Sequence, residues 1–212
     1  IEYPIQGFKL NMRLGLTPFG HVGLCPEQAV NWEYIDHSVK RIPLARPRVL
    51  NLFAYTGAAS LAACAAGAEV VHVDAVKPVI SWAKENMQLS GLDHIRWVVE
   101  DALSFVRREV KRGNRYQGIL LDPPAYGRGP DGEKWVLGDL IDELTDLCSR
   151  LMDPEHGLFL FSLYSMGFSS LIAENLVKER FPAGATIGSG ELFFPDSSGK
   201  QLPLGTFLRL VY

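Results

Sequence analysis

The sequence predicts an α/β fold, a doubly wound, mostly parallel sheet with helices on both faces and an antiparallel hairpin at its end. Three observations lead there. From Arg48 onward short apolar runs alternate with amphipathic stretches, the pattern of repeated strand–helix units. Acidic residues recur at the exits of successive strands, at Asp74, Asp101 and Asp122. The last two apolar stretches are joined by Pro195-Asp196-Ser197-Ser198-Gly199, a turn-forming run that folds a chain back on itself.

Arg48–Phe53 reads as the first buried strand. Gly57–Ala66 is small and Ala-rich, a good helix with a face thin enough to pack closely on a sheet. Glu69–Val73 is the second strand and ends at Asp74. In the helix Lys77–Ser90, Pro78 sits at a tolerated early position and Gly91 supplies the stop. Ile95–Val99 is the third strand, with Glu100-Asp101 at its exit, and Ala102–Lys111 has helical spacing. Gly118–Leu121 is the fourth strand, Gly138–Met152 the next helix, Leu158–Leu163 the fifth strand and Ser169–Arg180 the helix after it. Ala185–Phe193 and Thr206–Tyr212 form the closing pair. The first 45 or so residues, punctuated by Gly7, Gly15, Pro18, Gly20 and Gly23, suggest strands and turns more than helix.

A chain of 212 residues, 47% hydrophobic, can bury a core without disulfides or metals. Its net charge of -3 argues against a whole-chain electrostatic grip on nucleic acid but leaves room for a local basic face. Cys25, Cys64 and Cys148 form no CxxC pair and read as reduced thiols in a cytoplasmic protein. Cys148 falls in a helical run and reads as core packing. His21, His37, His72, His94 and His156 lack metal-ligand spacing, so no metal is assigned. No window reaches the 18 or so apolar residues of a membrane helix, and the start lacks a signal-peptide pattern. The chain opens on Ile1 rather than methionine, as a fragment of a longer protein would.

The most informative segment is Asp122-Pro123-Pro124-Ala125-Tyr126, at the end of Gly118–Leu121. Two prolines stiffen the turn and remove backbone donors, leaving an acid, peptide carbonyls and an aromatic on a rigid rim. A plain strand-ending turn is the bland alternative. In an open α/β sheet, ligands bind outside the carboxyl ends of the strands. The first strand exits through Asn51-Leu52-Phe53-Ala54-Tyr55-Thr56-Gly57, where one glycine lets backbone approach a ligand and a helix start offers N–H groups. The G-x-G-x-x-G dinucleotide fingerprint is missing, which disfavours a nicotinamide-dependent oxidoreductase. Asp74 stands about 20 residues after that strand, where a carboxylate meets ribose hydroxyls. Each acid alone reads as readily as a solvated loop residue; their recurrence favours a ligand site.

The series Phe53-Ala54-Tyr55-Thr56-Gly57, Asp74, Asp101 and Asp122-Pro123-Pro124 resembles that of class I S-adenosylmethionine-dependent methyltransferases, most closely the bacterial large-subunit ribosomal RNA methyltransferase group. The resemblance implies a Rossmann-like, seven-stranded sheet with an antiparallel C-terminal hairpin. It implies S-adenosyl-L-methionine as cofactor, with Tyr55, Thr56 and Gly57 at its methionine part, Asp74 at the ribose, Asp101 with Ala102 at the adenine, and Ala75 also among the cofactor-binding residues. Phe53 and Asn31 join that set. Asp122 and Pro123 would face the transferred methyl group, Asp122 and the Pro123 carbonyl accepting an amine and Tyr126 stacking on a base, with Pro124 completing the catalytic set, although Tyr126 stands one place later than the family's aromatic. Residues 1–45 would form an extension covering the cofactor cleft and residues 46–212 the methyltransferase domain.

The relatives that methylate cytosine C5 need a cysteine near the end of the fifth strand, where this chain reads Leu160-Phe161-Ser162-Leu163-Tyr164-Ser165. Serine does not replace a thiolate near neutral pH, so a nitrogen acceptor is expected. In the opening segment Gly20–Trp32, Gln28, Asn31 and Trp32 are candidates for cofactor or substrate contact, with a cap on the sheet as the equal alternative. RNA is the favoured partner, through Lys40-Arg41, Arg46 and Arg48 and through Arg107-Arg108, Lys111-Arg112 and Arg115, although a solvated helix face explains the second cluster as well. The family's RNA-binding enzymes commonly carry an extra N-terminal domain that this chain lacks, which weakens the RNA reading. A methyltransferase of a protein or small molecule, and a noncatalytic adenosylmethionine-binding module, are the competing readings.

Overall fold

The structure, a computed structural model, describes residues 1–16, 22–164, 167 and 169–212; of the residues singled out above, Pro18, Gly20, His21 and Ser165 lie outside these. A seven-stranded sheet forms the centre. It contains β3 (Arg48–Leu52), β4 (Glu69–Asp74), β5 (Ile95–Val99), β6 (Gly118–Leu121), β9 (Leu158–Leu163), β10 (Thr186–Pro195) and β11 (Gln201–Val211), in the spatial order β10-β11-β9-β6-β3-β4-β5. The first five run parallel, and β11 is antiparallel to both β9 and β10. The helices are α2 (Ala58–Ala65), α3 (Lys77–Leu89), α4 (Ala102–Arg112), α5 (Leu137–Leu151) and α6 (Ser170–Lys178). Two small hairpins flank the sheet, β1 (Glu2–Ile5) with β2 (Phe8–Asn11) and β7 (Tyr126–Arg128) with β8 (Lys134–Val136).

The central strands β6 and β9 are buried along their whole length and β3 from Val49 onward, and the pleat sends alternate side chains to opposite layers. Leu50, Leu52, Ile119, Leu121, Phe159, Phe161 and Leu163 enter one core with α4, α5 and α6. Val49, Leu120, Leu158 and Leu160 enter the other with α2 and the N-terminal hairpin. Helix α4 starts and stops where its chemistry directs. Asp101 caps α4 by accepting from the Ser104 N–H at 2.8 Å, and Gly113 ends it in the left-handed region at φ 69°.

The expected elements appear close to their predicted bounds, but three details differ. The first 45 residues hold a twelve-residue helix, α1 (Ala29–Lys40), besides the strands β1 and β2. Its signal is faint because Trp32, Ile35 and Val39 make a narrow apolar face while Asn31, Asp36 and Ser38 are also buried, so polar and apolar residues share the inward side. The β7–β8 hairpin, three residues a side, is too short to carry a periodic signal in the sequence. The last strand begins at Gln201, because Pro195–Gly199 makes a tight turn and pairing with β10 resumes at once. Among the described residues no helix is long and apolar enough to cross a membrane.

Candidate active site

The site is assembled where the sheet reverses its order of growth. From β3 the chain adds β4 and β5 to one side and β6 and β9 to the other, so the exits of β3 and β6 flank the topological switch point. Those exits carry Phe53–Gly57 and Asp122–Pro124.

Three of the five residues in the first turn adopt positive φ: Phe53 at 55°, Tyr55 at 49° and Gly57 at 93°. For the two aromatic residues this costs about 1 kcal/mol or more each, which the surroundings must offset. Ala54 N–H donates to Val73 O at 3.1 Å, Tyr55 N–H to Asp74 Oδ2 at 2.9 Å, and Asn86 Nδ2 to Thr56 O at 2.9 Å. The Thr56 hydroxyl donates to Gly23 O at 2.8 Å and so ties the opening segment over the turn. Gly57 is required twice over. Its φ suits glycine, and a Cβ would lie 3.2 Å from that of Ala83 and 3.5 Å from His72 Cε1. It leads into α2 with no side-chain cap, so the first N–H groups of that helix stay open to a ligand, and Ala58 and Ala59 line the cleft.

Beneath this turn Asn51 Nδ2 donates to Ser60 Oγ at 2.8 Å, and Ser60 Oγ lies 2.9 Å from His72 Nδ1. The Ser60 oxygen accepts from the Asn51 amide and meets one ring nitrogen of His72, while the other, Nε2, is buried without a hydrogen-bond partner. Burial keeps that ring neutral, its pKa pushed down to about 3.

Asp74 spends one lone pair of each oxygen on backbone, accepting from Tyr55 N–H and from Val76 N–H at 2.9 Å. Burial nevertheless raises its carboxyl above the usual carboxylate range. Each oxygen keeps a second lone pair for a hydroxyl donor. Ala75 follows it at the strand exit; Asp101 and Ala102 open α4 at the next exit.

Asp122 is the least satisfied group of the site. Gln28 Nε2 lies 3.4 Å from its Oδ2, whereas Oδ1 is closed off from solvent and has no hydrogen-bond partner. Burial, reinforced by the negative charge of Glu27, pushes its carboxyl up to about 7. Pro123 is buried and Pro124 exposed; the Pro124 carbonyl accepts from Trp135 Nε1 at 2.6 Å. Trp135, on β8, packs against Phe53 with ring centroids 4.8 Å apart, so one indole braces both exits of the switch point. A cleft of about 60 Å³ lies between them, lined by Cys25, Gln28, Phe53, Tyr55, Thr56 and Asp122 among others. It is far below the several hundred Å³ that enclose a nucleoside-sized ligand.

Tyr126 stands 77% exposed at the start of β7, outside the cleft. The aromatic residue beside Asp122 is Tyr164, at the exit of β9, whose hydroxyl accepts from Gln28 Nε2 at 2.6 Å. It lies flat on β11 because position 205 is glycine; a Cβ there would sit 2.9 Å from its ring. Asn31 is fully buried and hydrogen-bonded to Gln28 at 2.7 Å, and Trp32 is buried in the core beneath. Reading the fifth strand exit as the other exits were read would have found Tyr164. Trp135 carries no such signal, since its role depends on the small hairpin.

The second basic cluster is largely paired: Arg107 with Glu143, Arg108 with Glu100 and Arg112 with Glu109. In the first, Lys40 bonds Asp36 and the Arg48 guanidinium stacks on Tyr116 at 4.7 Å. No group of three potential metal-ligating side chains occurs among the described residues.

Comparison with known proteins adds three kinds of finding. A family model described as Conserved hypothetical protein 95 matches residues 30–132. The Ribosomal RNA large subunit methyltransferase K/L of Vibrio cholerae is 35% identical over 139 residues, 61% of this chain and 19% of that protein. The Ribosomal RNA large subunit methyltransferase I of Aeromonas salmonicida is 29% identical over 182 residues, 82% of this chain and 44% of that protein. The chain thus spans less than half the length of these curated relatives. The crystal structure of the SAM dependent methyltransferase from Agrobacterium tumefaciens superimposes with a TM-score of 0.90 at 40% identity, covering 99% of this chain and 69% of that one.

Proposed function

The chain belongs to the class I S-adenosylmethionine-dependent methyltransferases, and on that premise we propose that it methylates an amine nitrogen of RNA, with large-subunit ribosomal RNA the favoured substrate. The observation that carries the nitrogen acceptor is the unpartnered, buried Oδ1 of Asp122 beside the stiff Pro123–Pro124 turn. A buried acceptor without a donor costs free energy until a donor arrives, and an exocyclic amine supplies one.

The residues present fit S-adenosylmethionine. The open N–H groups at the start of α2 suit its carboxylate, Tyr55, Thr56 and Gly57 its methionine chain, Asp74 with Ala75 the ribose hydroxyls, and Asp101 with Ala102 the adenine edge. When bound, that cofactor supplies an electrophilic methyl on a sulfonium. The protein's own task is mainly positioning: Asp122 and the Pro123 carbonyl orient the acceptor nitrogen, Phe53 and Tyr164 exclude water, and Trp135 keeps the two strand exits in register. Residues 1–45 act as the cover of the cleft, through Gly23, Gln28 and Asn31, over the domain formed by residues 46–212. The three thiols without a disulfide suit the cytoplasm.

The pairing of Arg107, Arg108 and Arg112 with glutamates favours a second reading, an acceptor on a protein or small molecule, since those cations are not free for phosphates. Calorimetric titration with adenosylmethionine, followed by transfer of a labelled methyl group into ribosomal RNA and nucleoside analysis, tests both. Binding with an N-methylated nucleoside is expected. Binding without transfer to RNA overturns the substrate, 5-methylcytosine overturns the nitrogen acceptor, and no binding overturns the whole reading.

A further inference from the structure

Behind Asp122 runs a chain of polar side chains that the chemistry described so far does not use. Arg209, on β11, donates to Asn31 Oδ1 through Nε at 3.0 Å and Nη2 at 2.7 Å, and to Val30 O at 3.0 Å. Its guanidinium is clasped between the rings of Tyr34 and Phe207, 4.4 and 4.3 Å from their centroids. Among the described residues no carboxylate pairs with it. Asn31 Nδ2 in turn donates to Gln28 Oε1 at 2.7 Å, and Gln28 Nε2 faces the Tyr164 hydroxyl at 2.6 Å and Asp122 Oδ2 at 3.4 Å.

The direction of every bond in this series follows from its first member. A guanidinium has donors and no acceptor, so it dictates that Asn31 turn its oxygen inward and its amide nitrogen toward Gln28. That nitrogen dictates the same of Gln28, whose own NH₂ is left to face Asp122. A half-buried cation with no carboxylate of its own thus ends, two amides away, on a buried carboxylate with one free oxygen. We propose that Arg209, Asn31 and Gln28 are positioning residues forming a one-way donor relay that holds Asp122 in its ionised form with Oδ1 turned to the acceptor.

The relay opposes its surroundings. Glu27 and Cys25, from the segment before α1, and Tyr164, from the exit of β9, are the titratable groups that face Asp122 among the described residues; the charge of Glu27 and burial both favour the protonated acid. A protonated Asp122 would offer a hydrogen where an amine needs an acceptor. Gln28 supplies the donor contact that favours the charge.

The relevance of the relay to methyl transfer rests on the function proposed above, but its existence does not, so the test reads the carboxylate itself. The protein is labelled with [4-¹³C]aspartate, the Asp122 signal is assigned by its loss in Asp122→Asn, and its chemical shift is followed with pH. Asn31→Asp is isosteric and still accepts from Arg209, yet it presents a second acceptor to Gln28, which must turn its NH₂ away from Asp122. The Asp122 midpoint is expected to rise by about one unit in Asn31→Asp and in Arg209→Met, and to stay near wild type in Arg209→Lys. Near-ultraviolet circular dichroism reports whether each variant is folded. A wild-type midpoint in folded Asn31→Asp overturns the relay, and should Arg209→Met not fold, Asn31→Asp alone decides. Failure of adenosylmethionine to bind would refute the proposed function while leaving this titration readable.

Discussion

Replacing His72 by glutamine should make mild acid stabilise the ligand-free protein, where the wild type is nearly indifferent to it. Two buried groups of the cleft are linked to pH in opposite senses. The His72 imidazole is held neutral, its pKa pushed from 6.5 down to about 3, so the folded state refuses a proton that the unfolded chain accepts below 6.5. That contribution is intact above 6.5 and is lost as pH falls toward 3; between about pH 7.5 and about pH 5 the linkage removes about 2 kcal/mol. Asp122 is pushed from 3.8 up to about 7, so its folded state accepts a proton that the unfolded chain does not. The charged form destabilises above 7, and over the same interval acidification returns about 2 kcal/mol, reduced by whatever solvent reaches the open side of the cleft. The wild type should therefore be nearly flat in this interval as far as these two groups determine it. His72→Gln should gain stability on acidification, and Asp122→Asn should lose it. Urea unfolding at the two pH values measures each slope against wild type. Equal slopes in the three proteins would refute the assignment, and because the two variants diverge in opposite directions, a general acid effect cannot imitate the result.

Three further outcomes follow from the site. Asp74→Ala removes the acceptor of Tyr55 N–H and Val76 N–H as well as the proposed ribose contact, and should weaken adenosylmethionine binding at least tenfold by calorimetry, equivalent to about 1.4 kcal/mol or more. Gly57→Ala places a Cβ against Ala83 at φ 93° and should lower stability by about 1–2 kcal/mol in urea unfolding while also weakening that binding. Trp135→Phe keeps the contact with Phe53 but loses the hydrogen bond to Pro124 O, so methyl transfer should slow several-fold while adenosylmethionine affinity stays within twofold of wild type.

The sheet and its helices were legible because fully buried strands such as Gly118–Leu121 read as unbroken apolar runs and α4 between them carries its own cap and stop. The acids at the strand exits were legible for the same reason, since an exit is defined once its strand is. Helix α1 was obscured because it buries Asn31, Asp36 and Ser38, polar residues that a periodicity argument counts as outward-facing. Those buried polar groups are the ones that matter here, since Asn31 holds Gln28. Tyr126 attracted attention by its place in sequence, but the short β7–β8 pairing turns it outward, whereas Tyr164 approaches Asp122 through the register of β9 against β6 and β11. Contacts across 94 and 178 positions, such as Gln28 with Asp122 and Arg209 with Asn31, arise only when the strands are assembled.

The placing of β11 between β9 and β10 has a consequence in time. Within the sheet β10 is hydrogen-bonded to β11 alone, so when the ribosome has made β10 there is nothing yet for it to pair with, and both strands join the sheet together once residues 201–211 have emerged. By then the turn at Phe53–Gly57 and the acids at 74 and 101 have long been available. The two halves of the cleft therefore mature in sequence during synthesis, the side with Gly57 and Asp74 first and the side with Asp122 last, when Arg209 arrives on the final strand.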